Sequence, residues 1–271
     1  MTGCGSDARF AGGVPAAYET YMVPLLFEPY AADLAARLEA LRPTRVLEVA
    51  AGTGAVTRAM ASALPREVEI VATDLNPPML EEAAGRGTAR PVEWKPADAM
   101  ALPFPDGSFD AVVCQFGAMF FPDRPHAFAE ARRVLAPDGT YLFSTWDRIS
   151  ENEIAHIVQE ALAPLFPDDP PRFMERIPHG YHDPDRIARD VADGGFASTP
   201  RIETVILRSR TRSAKEAATA YCMGTPLRDE IVARGGRLDE AIARAEAALG
   251  KMFGNGEIDA KMQAFVVAVP R

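Results

Sequence analysis

The 271-residue chain is 48% hydrophobic and 25% charged, the balance of a folded globular protein rather than a disordered one. Its 38 acidic residues against 29 basic give a net charge of −9, and no run of Lys and Arg interrupts this, which argues against nucleic acid as a partner. Residues 1–10 lack the apolar stretch of a signal peptide, and nothing else reaches the length of a membrane span. The three cysteines Cys4, Cys114 and Cys222 are too scattered for a disulfide framework, so a cytoplasmic setting is expected; no Cys lies near a His at zinc-site spacing, so no metal is expected.

Residues 1–44 are expected to form an N-terminal helical arm. Between 14 and 41, Tyr18, Tyr21, Met22, Tyr30, Leu34, Leu38 and Leu41 mark one apolar helical face, interrupted near Pro29. Residues 45–49 read as a first strand, 54–64 as a helix ended by Pro65, and 68–73 as a second strand. Asn76, Pro77 and Pro78 open a helix running to about Gly85, since proline is tolerated in a first helical turn. A short third strand at 92–95, a fourth at 109–116, a helix at 125–136 halted by Pro137, Asp138 and Gly139, and a fifth strand at 140–146 continue the alternation. Such a pattern predicts an α/β fold with a parallel sheet covered on both faces.

After Trp146 the pattern changes. A helix at 150–162, a proline-rich connection over 164–184, a helix at 184–193, a strand at 199–208, two helical runs over 213–250 and a last strand at 262–269 are expected. The chain then reads as a single domain with a core at 45–146; residues 147–198 and 209–257 supply helical elements facing a substrate, and 164–184 serves as a lid.

The first strand leads into Ala50, Ala51, Gly52, Thr53 and Gly54, a glycine turn that opens a helix. Such a turn can be no more than a tight connection. However, Asp74 ends the next apolar run twenty residues beyond Gly54, where an acidic side chain can accept ribose hydroxyls, so the pair points to a nucleotide-type cofactor.

Further motifs follow in order: Asp74 with Met79, Asp98 with Ala99, Leu102 to Asp110, and Arg133 to Gly139. Together with the glycine turn they resemble the class I S-adenosylmethionine (SAM) dependent methyltransferases, in particular the group similar to ubiquinone and menaquinone biosynthesis methyltransferases. The resemblance covers residues 45–146. It implies a Rossmann-like seven-stranded sheet of order 3-2-1-4-5-7-6 with the last strand antiparallel, and methyl transfer from SAM to a small-molecule acceptor by in-line displacement, leaving S-adenosylhomocysteine. By the same resemblance, Glu48, Ala50, Ala51, Gly52 and Gly54 face the methionine part and Asp74 the ribose. Leu75 and Met79 face the adenine plane, Asp98, Ala99 and Met100 the adenine edge, and Gln115 and Phe116 close the site under the sulfonium. Two positions depart from the pattern: Ala50 stands where the family usually has glycine, and Asp138 replaces a glycine before the fifth strand.

A sulfonium already activates its methyl group, so a base is needed only for an acidic acceptor. Candidates are His179 and His182 in the cluster His179–Gly180–Tyr181–His182, with Tyr21 on the arm; His126 is expected to be exposed or to cap a helix. Two other readings compete. A nicotinamide-dependent oxidoreductase would require a small third residue where Thr57 stands, and a non-catalytic SAM-binding protein would share the whole cofactor site.

Overall fold

The computed structural model describes residues 14–271; Cys4, the stretch 1–10 and the first residues of the expected arm lie outside the described residues. The strands are β1 (Arg45–Val49), β2 (Glu69–Asp74), β3 (Glu93–Pro96), β4 (Phe109–Gln115), β5 (Leu135–Trp146), β6 (Arg201–Thr211) and β7 (Ile258–Pro270). They form one seven-stranded sheet in the order β3-β2-β1-β4-β5-β7-β6, as the resemblance implied. Strands β1 to β5 pair in parallel, while β7 runs antiparallel to both β5 and β6.

The central strands are apolar on both faces because helices cover both. Val46, Leu47, Ala111, Val112, Val113 and Cys114 are all fully buried, which is what a near-continuous apolar run in a parallel strand requires. The chain travels outward from β1 through β2 to β3 and then crosses back to β4 on the other side of β1. This reversal leaves a crevice at the carboxyl ends of β1 and β4, the usual ligand position in open α/β sheets.

Several boundaries differ from the sequence expectation for local reasons. The arm is helical from Val14 to Leu41 and is not interrupted at Pro29, which sits at the start of the α-helical segment Glu28–Leu41. The irregularity lies earlier, in a π-helical stretch Tyr18–Phe27 that contains Pro24, a residue with no N–H to give the helix. Strand β5 begins at Leu135 instead of Thr140, with a register shift against β4 that accommodates Pro137 and Asp138 as exposed residues. Gly139 is the glycine this bend needs, since a Cβ there would lie 2.9 Å from the Leu135 side chain and 3.0 Å from the Ala136 carbonyl oxygen. The region 213–250 holds three helices instead of two, Ala214–Met223, Leu227–Ala233 and Leu238–Phe253, divided at Gly224 to Pro226 and at Gly235 with Gly236. Among the described residues no helix is long and apolar enough to cross a membrane.

The arm packs its expected face inward. Tyr30, Leu34 and Leu38 are fully buried, and the Tyr30 hydroxyl donates to the Val205 carbonyl of β6 at 3.0 Å. Leu41, on the same face by spacing, is 45% exposed at the helix end. We therefore expect Leu34→Ala to cost about 2–5 kcal/mol of stability in urea unfolding and Leu41→Ala about 0.5 kcal/mol or less. Equal losses at the two positions would contradict this division of the face.

Candidate functional site

At the crevice, the loop after β1 turns through three residues with positive φ: Ala50 at 56°, Gly52 at 57° and Gly54 at 86°. Ala51 N–H donates to the Thr73 carbonyl and Gly54 N–H to the Ala51 carbonyl, each at 2.9 Å, so the turn is tied both to itself and to β2. Asp74 completes the tie. One carboxylate oxygen accepts from Gly52 N–H and the other from Asn76 N–H, both at 2.8 Å, which joins the tip of the turn to the start of helix Pro77–Arg86. Burial pushes the Asp74 carboxyl above its ordinary range, against the lowering effect of these bonds.

The turn borders a cavity of about 430 Å³, within the usual range for small-molecule sites. The structure brings most of the predicted cofactor residues to this cavity: Ala50, Gly52, Asp74, Leu75 and Met79 on one side, and Asp98, Ala99, Met100, Gln115 and Phe116 on the other. Leu75 is 59% exposed and offers its apolar side chain to the cavity. Asp98 also has a turn role, since its carboxylate accepts from Met100 N–H at 2.9 Å.

A smaller polar cavity adjoins the first through Tyr18, Ala50, Gly52 and Gln115, and here Glu48 and Ala51 find their places. Glu48 is 1% exposed and accepts from the Thr57 hydroxyl at 2.5 Å. Burial, with Asp74 nearby, pushes its carboxyl up to about 8, although the Thr57 bond opposes this. Gln115 donates its amide to the Phe27 carbonyl at 3.3 Å and leaves its Oε1 buried without a partner, as is the Thr53 hydroxyl. On the arm, Glu19 pairs with Arg58 at 2.7 Å, and Arg58 also donates to the Thr53 carbonyl. Gly54 lines neither cavity. A Cβ there would lie 3.0 Å from Trp94 and 3.1 Å from Ala83, so this glycine serves close packing beneath the turn.

Beyond Phe116, Phe120 and Tyr18, which border both spaces, lies an apolar chamber of about 60 Å³. Phe116 holds φ at 51° and stacks flat on Trp146, with ring centroids 3.9 Å apart. The arm contributes Tyr18, Met22 and Leu26; the proline-rich segment contributes Phe173, Met174 and His179; helix Ala214–Met223 and its end contribute Tyr221 and Thr225. Of the three acid/base candidates, only His179 lines the chamber, whereas Tyr21 and His182 lie off it and His182 instead bonds the His179 carbonyl through Nδ1 at 2.7 Å. His126 is exposed at a helix start, where Asp123 accepts from its backbone N–H. Tyr18, Trp146 and Tyr221 were not foreseen as site residues. Tyr18, Met22 and Leu26 do share a spacing of four, and Trp146 ends a parallel strand, but Tyr221 and Phe173 carry no sequence signal of their position.

The strand order is that of the Rossmann-like methyltransferase fold. Residues 47–143 match the family described as Methyltransferase domain. Over 99 residues the chain is 46% identical to a demethylmenaquinone methyltransferase of Thermus thermophilus, covering 36% of this chain and 44% of that protein. It is 39% identical over 127 residues to a malonyl-[acyl-carrier protein] O-methyltransferase of Halorhodospira halophila, covering 46% and 43%. The chain thus matches less than half the length of these relatives. Among solved structures, it is similar to the YcgJ protein of Bacillus subtilis, with a TM-score of 0.55, 19% identity and 90% and 99% of the two chains covered. It is also similar to a Haemonchus contortus phosphoethanolamine N-methyltransferase, with a TM-score of 0.56, 18% identity and 95% and 57% covered.

Two tests follow from the turn and the buried acid. Alanine at φ 56° carries the cost of a left-handed conformation, so Ala50→Gly should raise stability by about 1 kcal/mol in urea unfolding. A clear loss of stability would show that the methyl group's contacts outweigh the strain. For Glu48, the native carboxyl keeps its proton up to about pH 8, while the unfolded one loses it near 4.5. Its contribution to stability is therefore complete below 4.5 and lost as pH rises through 8. Glu48→Gln should lose less stability than the parent between those pH values; parallel profiles would place the Glu48 titration elsewhere.

Proposed function

We propose that this protein is a SAM-dependent methyltransferase acting on a small-molecule acceptor in the cytoplasm. The observation that carries the reading is convergence: residues from four separate strand ends, including Gly52, Asp74, Asp98 and Phe116, line one cavity that reaches the apolar chamber. The donor and acceptor set fits the adenosyl group. Asp74 Oδ2 keeps a further lone-pair direction for a ribose hydroxyl beyond its bond from Gly52 N–H, whereas Oδ1 accepts from both the backbone N–H and the side-chain amide of Asn76; Leu75 with Met79 offers apolar surface to a flat base. The partnerless oxygens of Gln115 and Thr53 suit the donors of an amino-acid tail.

When bound, SAM supplies a methyl group activated by its sulfonium. The chain's own contribution is to hold the acceptor in line and keep water out, which the stacked pair Phe116 and Trp146 and the arm residues Tyr18 and Phe27 are placed to do. The nicotinamide alternative is weakened at Thr57, which is fully buried with its hydroxyl spent on Glu48, where the dinucleotide fingerprint calls for a small residue. Buried, unpaired Cys114 and Cys222 accord with a reducing compartment.

Calorimetry with SAM, S-adenosylhomocysteine, NADH and NADPH tests the reading, and the adenosyl ligands alone should bind. Asp74→Ala should weaken SAM binding about 10- to 100-fold, the range for hydrogen bonds to a charged group. Binding of a nicotinamide cofactor in place of SAM would sink the proposal, and unchanged affinity in a folded Asp74→Ala variant would remove that residue from the site. A labelled-methyl screen against small-molecule extracts separates an enzyme from a protein that only binds SAM.

A further inference from the structure

The apolar chamber has a polarity of its own. None of its lining side chains is an Asp, Glu, Lys or Arg. Asn152 spends its amide on the Asp147, Arg148 and Gln263 carbonyls and its oxygen on Gln263 N–H. Thr225 donates to the Tyr221 carbonyl and accepts from Leu227 N–H. The wall's ring nitrogen is different. His179, 4% exposed, places Nδ1 2.7 Å from the Asp147 carbonyl oxygen. A carbonyl only accepts, so Nδ1 carries the hydrogen and the neutral ring keeps its lone pair on Nε2.

That orientation is held firmly. Asp147 N–H donates to the Gln263 carbonyl at 3.1 Å, and its carboxylate accepts from the Gln263 amide at 2.5 Å, which pins the carbonyl that His179 uses to β7. Burial also pushes the His179 imidazolium down to about 4, so the ring is neutral near pH 7.

These features restrict the ligand. A carboxylate or phosphate would enter with no countercharge, whereas an uncharged group that donates one hydrogen bond would be satisfied by Nε2. Between two hydroxyl acceptors, a neutral imidazole favours the more acidic, a phenol at about 10 over an aliphatic alcohol. The aromatic walls favour a flat body. At about 60 Å³ the chamber takes the hydroxyl-bearing edge of such a body.

Building on the methyl-transfer reading above, we infer that the chamber receives the acceptor as a flat, uncharged molecule with a phenol- or enol-type hydroxyl, and that His179 Nε2 accepts its hydrogen bond and then its proton. The acceptor oxygen bonds to the methyl carbon as the carbon–sulfur bond breaks and its electron pair returns to sulfur. Positive charge passes from sulfur to the imidazole, and solvent takes the proton when the ether product leaves.

The test uses Trp146, which lies 6.0 Å from His179 between ring centroids and becomes the sole tryptophan in a Trp94→Phe background. With S-adenosylhomocysteine saturating, phenol should perturb Trp146 fluorescence, and anisole, which lacks the donor, should bind about five- to tenfold more weakly. His179→Phe should abolish that preference and leave S-adenosylhomocysteine affinity unchanged. Should this variant not fold, the 15N shift of His179 Nε2 in the parent protein gives the answer, moving with phenol and not with anisole. Equal binding of phenol and anisole, a preference that survives His179→Phe, or tighter binding of tetramethylammonium would overturn the inference while methyl transfer stands. Failure of S-adenosylhomocysteine itself to bind would overturn the methyl-transfer reading instead.

Discussion

The tie between Asp74 and the turn after β1 is the constraint on which the rest of the site depends. A loop with three positive φ values in five residues has no regular hydrogen-bond ladder to hold it, and its exposed N–H groups would otherwise look to water. Asp74 supplies acceptors from the neighbouring strand, and Ala51 N–H reaches the same strand at Thr73. Because β1 and β2 are adjacent and in register, with Val49 opposite Thr73, these bonds need no further adjustment of either strand. The same carboxylate starts the next helix through Asn76, so turn, strand end and helix start move as one unit. A ligand meeting that unit finds its polar groups already placed.

A second constraint is the treatment of buried charge. Glu48 lines the polar cavity and His179 the apolar chamber, and burial favours the neutral form of each: it raises the carboxyl and lowers the imidazolium. Each has one strong partner that fixes its orientation, the Thr57 hydroxyl for Glu48 and the Asp147 carbonyl for His179. The protein thus brings little fixed positive charge to these cavities, since Arg58 is already paired with Glu19. A cation entering them meets carboxyl oxygens, an amide oxygen and aromatic faces, all of which tolerate a positive charge.

The part of the fold legible in the sequence is the part in which neighbours in sequence are neighbours in space. In β1 through β5 each strand ends at the site and its following turn carries the functional residue, so Gly52, Asp74 and Asp98 could be placed from local pattern. Even there, pattern could not separate a residue that lines the cavity from one that packs below it, and Gly54 against Trp94 is the example. The acceptor side obeys no local rule. Its chamber joins Tyr18 of the arm, Phe173 and His179 of the proline-rich segment and Tyr221 of a later helix, residues brought together only by tertiary packing. The same limit explains why Tyr21 is the arm's candidate in the sequence while Tyr18 lines the chamber: a π-helical stretch alters which residues share a face, and nothing in its composition announces the wider turn.

This division has a chemical logic. On the reading proposed above, the donor presents the same adenosyl and methionine groups wherever it is used, so the turn, Asp74 and Asp98 have one task that short motifs can encode. On the same reading the acceptor differs from one enzyme to another, and apart from Phe116 and Phe120 the chamber's walls come from residues outside 47–143, where the family match ends. Phe116 and Trp146 stand at the boundary between the two. Both close strands of the shared sheet, yet their stacked rings form the floor of the chamber, and Phe116 takes a left-handed backbone to do so. That strain is sustained because Tyr30 from the arm packs edge-on against Phe116 and Trp146 alike, with ring centroids 5.2 and 5.3 Å away. The arm therefore also stabilises the stacked pair that borders the chamber, so a change at Tyr30 reaches the chamber without touching the turn after β1.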